Sequence, residues 1–243
     1  MSNIVVKDVD QTNSLVWFRN DLRVNDHHGL KQAIENSDSV VGFYCFNPDL
    51  FFENKLGFKK TDKFRAKFLI ETLENLKKNL KKINITLIIK IGDSAKILSE
   101  LTSEKNIKNI YLQEEWTKEE SDELSNLKNI LNDVVIHSNY DQFLFHPEDI
   151  DSQYISDVFT NFRKYCEKKV DVRSISLMSK KFGSENLINE DFKVPSLKML
   201  GFDDFELDNR SAFIFAGGSD SAKERLDHYV WKTRKVNFYK QTR

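Results

Sequence analysis

Five short apolar runs, each separated from the next by a segment of helical periodicity, constrain the fold of this chain more than any other feature. They occupy residues 14–18 (SLVWF), 39–46 (SVVGFYCF), 85–91 (ITLIIKI), 108–112 (KNIYL) and 134–137 (VVIH). Their β-branched and aromatic content is that of strands buried on both faces. The intervening segments are 28–36, 63–83, 94–104 and 118–131. In the second of them Phe64, Phe68, Leu69, Leu73, Leu76, Leu80 and Ile83 form one amphipathic stripe opposite a lysine-rich, solvated face. Parallel strands need crossovers of this length, so the alternation predicts an α/β domain, doubly wound and Rossmann-like, around one parallel five-stranded sheet.

Directly after the first run stand Arg19, Asp21, Arg23 and Asp26, four charges in eight residues. They fall at the carboxyl edge of the sheet, where open α/β sheets keep their ligand crevices. The plainer reading is that the four pair with one another and hold the loop. Asp26 is also placed to cap the helix that follows.

Several chemistries are disfavoured. Neither G-x-G-x-x-G nor G-x-x-x-x-G-K-[ST] follows the first strand, which speaks against an ordinary dehydrogenase or nucleoside triphosphatase. His27, His28, His137, His146 and His228 make no H-x-x-x-H pair and stand by no serine elbow, so they read as capping or surface groups and no metal is expected. Cys45 and Cys166 lack C-x-x-C spacing and read as reduced, structural thiols of a cytoplasmic protein. Lys+Arg 37 against Asp+Glu 38 gives no global pull toward nucleic acid. No signal-like amino terminus and no run of eighteen apolar residues is present, so no membrane partner is expected.

Beyond the fifth run, a helix over 154–168 with Ile155, Val158, Phe159, Phe162 and Cys166 on one face is expected to dock on the sheet. Periodicity then fades through an acidic stretch with Pro195 and Gly201. The expected organisation is an α/β domain over 1–170, a linker over 171–212 and the start of a second, helical domain over 213–243. Gly217 and Gly218 make a tight turn before a helix over 219–239 that Ser219 is placed to cap. The final VNFYKQTR has no helix stop, so the sequence reads as truncated within that domain.

Several motifs carry a resemblance. WFRNDLRVND at 17–26 resembles the opening strand and loop of the photolyase/cryptochrome family, W-F-R-x-D-L-R. YLQEEWTKEE at 111–120, FHPED at 145–149, DVFTNFRKYCE at 157–167 and the stretch 215–243 are similar, in order, to segments of its DASH-type cryptochromes. Ser219-Asp220 stands where an acidic-then-small pair is usual, and Trp116-Thr117 where a small or cysteine pair is usual.

The resemblance implies the strand order 3-2-1-4-5, an antenna chromophore in the α/β domain and FAD in the helical one. It implies a light-driven deoxyribodipyrimidine lyase that splits cyclobutane pyrimidine dimers flipped out of DNA, with single-stranded or open substrate favoured because flipping then costs less. Glu119 matches the acidic residue that hydrogen-bonds a methenyltetrahydrofolate antenna, and Asn47 and Arg19 would line the same crevice. Tyr239 and Arg243 match the Y-x-x-x-R that opens the FAD site. No catalytic residue is assigned, since DNA and flavin would meet mainly the absent part. Phe213, Phe215, Leu226, Tyr229, Val230, Trp231 and Phe238 would face that part. Two alternatives stand beside this reading, a signalling cryptochrome without repair activity and a free-standing Rossmann-like nucleotide- or flavin-binding module.

Overall fold

The apolar runs pair with one another because pairing satisfies their backbone N–H and C=O groups while their apolar side chains leave water. β1 (Asn13–Trp17), β2 (Ser39–Phe46), β3 (Leu87–Ile91), β4 (Ile107–Gln113) and β5 (Val135–Asn139) form one sheet in the order β3-β2-β1-β4-β5, as the resemblance implied. A computed structural model supplies these coordinates and describes residues 11–53, 55–177, 181–208, 210 and 215–242. All four pairings are parallel, and the central strand sets Val16 opposite Gly42 on one side and Tyr111 on the other. Leu15, Val16, Phe18, Phe43, Ile88, Ile110 and Leu112 are fully buried at its centre.

Four helices connect the strands: α1 (His28–Asn36), α2 (Lys63–Lys81), α3 (Ser94–Glu104) and α4 (Lys118–Ile130). Asp62 and Asp93 cap α2 and α3, accepting the N–H groups of Lys63 and Lys96. Right-handed crossovers that step from β1 to β3 in one direction and from β3 to β5 in the other place α1 and α2 on one face and α3 and α4 on the opposite face.

Several expectations about the helices are corrected. The stripe of α2 is shifted: Leu73, Leu76 and Leu80 are buried, but Phe64 and Phe68 are more than half exposed, because Ala66 and Thr72 take the core side at that end. The helix expected over 154–168 begins only at α5 (Phe159–Lys169), after a separate 3-10 turn at Ser152–Tyr154 that Asp151 caps. It does not dock by the face assigned to it, since Ile155, Val158 and Phe159 are exposed and Cys166 alone of that stripe is buried. The helix expected over 219–239 is interrupted. α6 (Ser219–Asp227) passes into a π turn at His228–Lys232, Arg234 turns left-handed with φ 51°, and a 3-10 turn at Lys235–Phe238 leads into the short α7 (Tyr239–Thr242). Gly218, not Ser219, is the residue that precedes the first turn of α6.

Within the stretch expected to be a linker, residues 182–202 run as a strap that adds to the core. Phe192 and Leu200 are buried in the main cluster. Upstream, Asn186 completes the polar edge of β2: Val40 N–H donates to its Oδ1 at 3.0 Å, and its Nδ2 donates to Val40 O at 3.0 Å and Asn84 O at 2.7 Å. Asn186→Ala is expected to cost about 1–2 kcal/mol, because it orphans a buried backbone N–H. Urea unfolding of the two proteins checks this value.

Candidate functional site

β1 and β4 lie side by side, yet the chain leaves β1 toward β2 and leaves β4 toward β5. Their carboxyl ends therefore flank the switch point of the sheet, and the loops part there to leave a crevice. Its wall includes Arg19, Asn20, Tyr44, Asn47, Ser94, Glu119, Glu120 and Glu123, and its volume is about 180 Å³. Arg19, Asn47 and Glu119, assigned to one crevice from the resemblance, are thus brought together.

Arg19 forms the floor. Its side chain is 6% exposed, and Nη2 donates to Glu123 Oε2 at 2.9 Å and to Glu120 O at 3.1 Å. The guanidinium centre lies 4.9 Å from the Trp17 ring centroid, a cation–π contact. Ser94 donates its hydroxyl to the other oxygen of Glu123. On the residues that line the crevice, two buried side-chain atoms have no hydrogen-bond partner among the described residues: Arg19 Nη1, a donor, and Glu120 Oε2, an acceptor. A buried donor and a buried acceptor left open are what a ligand edge carrying both a carbonyl and an N–H would satisfy.

Glu119 stands at the mouth, in the first turn of α4, where an acid is favoured by the helix dipole. Its side chain is 69% exposed and Oε1 accepts from Lys60 Nζ at 2.5 Å. Asn47 uses its Oδ1 to cap the 3-10 turn at Pro48–Leu50. Cys45, beside the crevice, donates its thiol to Gly92 O; burial first, then the charge of Glu123, pushes the thiol pKa up to about 12, so it stays protonated and unreactive.

The four charges after β1 do not form the closed set expected of them. Arg19 goes to α4, Asp21 turns inward to His27, Arg23 donates to the carbonyls of Asp26 and Asp141, and Asp26 accepts the Ser176 N–H at 2.7 Å. Asp26 is not the cap of α1, because its φ of 52° is left-handed and places the next residue at that position. His27 caps α1 instead: its Nδ1 accepts the Leu30 N–H at 3.0 Å, which leaves Nε2–H to face Asp21 Oδ2 at 2.9 Å. Burial alone would raise the Asp21 carboxyl, but the imidazole of His27 and the Arg19 backbone N–H outweigh it and hold the carboxyl below its usual range. His137, half-buried on the edge strand β5, stacks on Tyr111 with ring centroids 4.5 Å apart.

A second, larger cavity of about 770 Å³ opens between α2 and residues 215–229. Arg19, Arg23, Arg65 and Arg225 line it with no acidic residue among the lining groups, and Phe51, Phe68 and Phe215 give it apolar walls. Tyr239 is apart from both cavities in α7, beside Arg225, Lys235 and Phe238, and Arg243 lies outside the described residues, as does Phe213. Of the apolar groups expected to face an absent domain, Leu226 and Trp231 are strongly exposed.

A family model described as DNA photolyase matches residues 14–180, which take in the crevice and all of the sheet but the first residue of β1. The chain belongs to the photolyase/cryptochrome family. Cryptochrome DASH of Xenopus laevis is 36% identical to it over 235 residues, 93% of this chain and 45% of that protein. Cryptochrome DASH of Gloeobacter violaceus is 33% identical over 233 residues, covering 94% and 46%. The crystal structure of the Synechocystis sp. PCC6803 cryptochrome superposes with a TM-score of 0.86 at 33% identity, over 96% of this chain and 49% of that one. This photolyase-family chain therefore spans about half the length of the curated relatives it matches, and corresponds to the photolyase-homology part of cryptochrome DASH. Among the described residues, no group of three or more His, Cys, Asp or Glu could hold a metal ion, and no helix is long and apolar enough to cross a membrane.

Proposed function

We propose that this chain is the chromophore-holding part of a blue-light-driven flavoprotein of the cryptochrome DASH kind, and that the crevice between the ends of β1 and β4 takes a folate-type antenna such as methenyltetrahydrofolate. The observation that supports this most is the pair of open buried atoms on residues that line the crevice, Arg19 Nη1 and Glu120 Oε2, with the exposed carboxylate of Glu119 on the same lining. A pterin edge carries N–H donors beside a carbonyl acceptor, so these residues fit it. Glu119 would accept N–H groups at the mouth, Arg19 would donate to the carbonyl, and the apolar Trp17 and Phe18 would exclude water beneath the ring.

In the whole protein, Tyr239 and Arg243 are proposed to bind the phosphates of FAD, a fixed guanidinium fork being suited to a pyrophosphate. When bound, reduced FAD supplies the electron that splits a cyclobutane pyrimidine dimer in DNA. Two unpaired thiols suit a reducing compartment such as the cytosol.

Titration of the purified chain with methenyltetrahydrofolate, followed by its near-ultraviolet fluorescence, tests the antenna assignment. Saturable one-to-one binding is expected. A signal that never saturates would remove the crevice as an antenna site.

A further inference from the structure

The glycine pair before α6 does more than turn the chain. A Cβ on Gly217 would lie 2.4 Å from the backbone oxygen of Phe68, and one on Gly218, whose φ is +110°, would lie 2.6 Å from Asn75 Cβ. Backbone therefore rests directly on the side of α2. Glu71, Asn75 and Asn79 meet it there, four residues apart and hence on one helix face. Gly217 N–H donates to Glu71 Oε2 at 2.8 Å. Asn75 Oδ1 accepts from the Ser219 hydroxyl at 3.2 Å and from Asp220 N–H at 3.3 Å. Both carboxylate oxygens of Asp220 are taken, Oδ2 by Asn75 Nδ2 at 2.9 Å and Oδ1 by Asn79 Nδ2 at 3.0 Å.

We propose that Glu71, Asn75 and Asn79 form a receptor strip on α2 that clamps the turn 217–220 and so positions the segment that follows, which carries Tyr239. Asn79 is buried, and an amide on the buried side of a helix forgoes apolar packing unless its hydrogen bonds are required. Phe68, Leu69 and Thr72 on one side and Phe215, Ala222 and Leu226 on the other wall the 770 Å³ cavity, so the clamp also fixes how far that cavity opens. Ser219-Asp220, the departure from the usual order of residues, acquires a reason here, because a carboxylate at position 220 is the one that reaches both amides.

A competing explanation is that Asp220 merely favours the positive end of α6. Moving the carboxylate by one residue separates the two. Ser219→Glu combined with Asp220→Ser keeps the net charge and an acid in the first turn, but rotates the carboxylate by about 100° around the helix axis. Amide hydrogen exchange on the 243-residue chain is the readout. The double variant, and Gly218→Ala, are expected to reduce protection across 219–227 by about tenfold or more while the amides of β1 and β2 keep theirs. Glu71→Gln, which retains an acceptor for Gly217 N–H, should stay near the parent and Glu71→Leu should not. Unchanged protection of 219–227 in the double variant would overturn the proposal, and so would equal behaviour of Glu71→Gln and Glu71→Leu.

Discussion

Replacing His27 with alanine is expected to destabilise the chain by about 3 kcal/mol, because it leaves the buried Asp21 carboxylate without the imidazole N–H that faces it. Asp21 and His27 each have side chains 1% exposed, so the pair is shut off from bulk solvent. The same change strips the N-terminal cap from α1, which alone accounts for about 1 kcal/mol. His27→Asn separates the parts, because asparagine restores the cap but does not place an N–H against Asp21 Oδ2. It should recover about 1 kcal/mol of the loss in urea unfolding. The pH dependence has a definite sign. A carboxyl held below its unfolded value contributes stability above about pH 4, and that contribution is lost as pH falls through the lower folded value. In His27→Ala burial acts on Asp21 without the opposing imidazole, so the acid unfolding midpoint should move to higher pH.

Glu119→Gln is expected to weaken retention of a folate-type chromophore by about tenfold or more, since a hydrogen bond to a charged acceptor is worth about 1.5–3 kcal/mol. Stability should hardly change, because the contact of Glu119 with Lys60 is exposed and such pairs contribute about 0–1 kcal/mol. Fluorescence titration of both proteins, with melting temperatures recorded alongside, separates the two effects. Equal affinity of variant and parent would remove Glu119 from the site.

The strands were legible because a parallel sheet buried on both faces leaves its apolar content in contiguous runs, and all five lie within a residue or two of their expected places. Glu119, Asn47 and Arg19 were placed in one crevice by motif likeness and strand order together. The pairings of the loop were not legible. Arg19 and Glu123 are 104 residues apart, and Asp21 and His27 could be matched only once the left-handed turn at Asp26 was known. Apolar periodicity misled in α5 and at the start of α2. Ile155, Val158, Phe159, Phe64 and Phe68 form stripes of the right spacing, but spacing does not say whether a partner surface lies opposite. The interruption of the helix expected over 219–239 left no proline or glycine as a sign, because its break is a left-handed arginine.

The antenna assignment is tested most directly by nitrogen-15 NMR of the chain as methenyltetrahydrofolate is added. Saturable shifts are expected at Arg19, Asn20, Asn47, Ser94 and the first turn of α4 from Glu119 to Glu123, with the strap around Asn186 unmoved. A chain that shows no saturable shift with the folate, but elutes from gel filtration with a stoichiometric yellow flavin, would contradict that assignment and place flavin binding in the α/β unit itself.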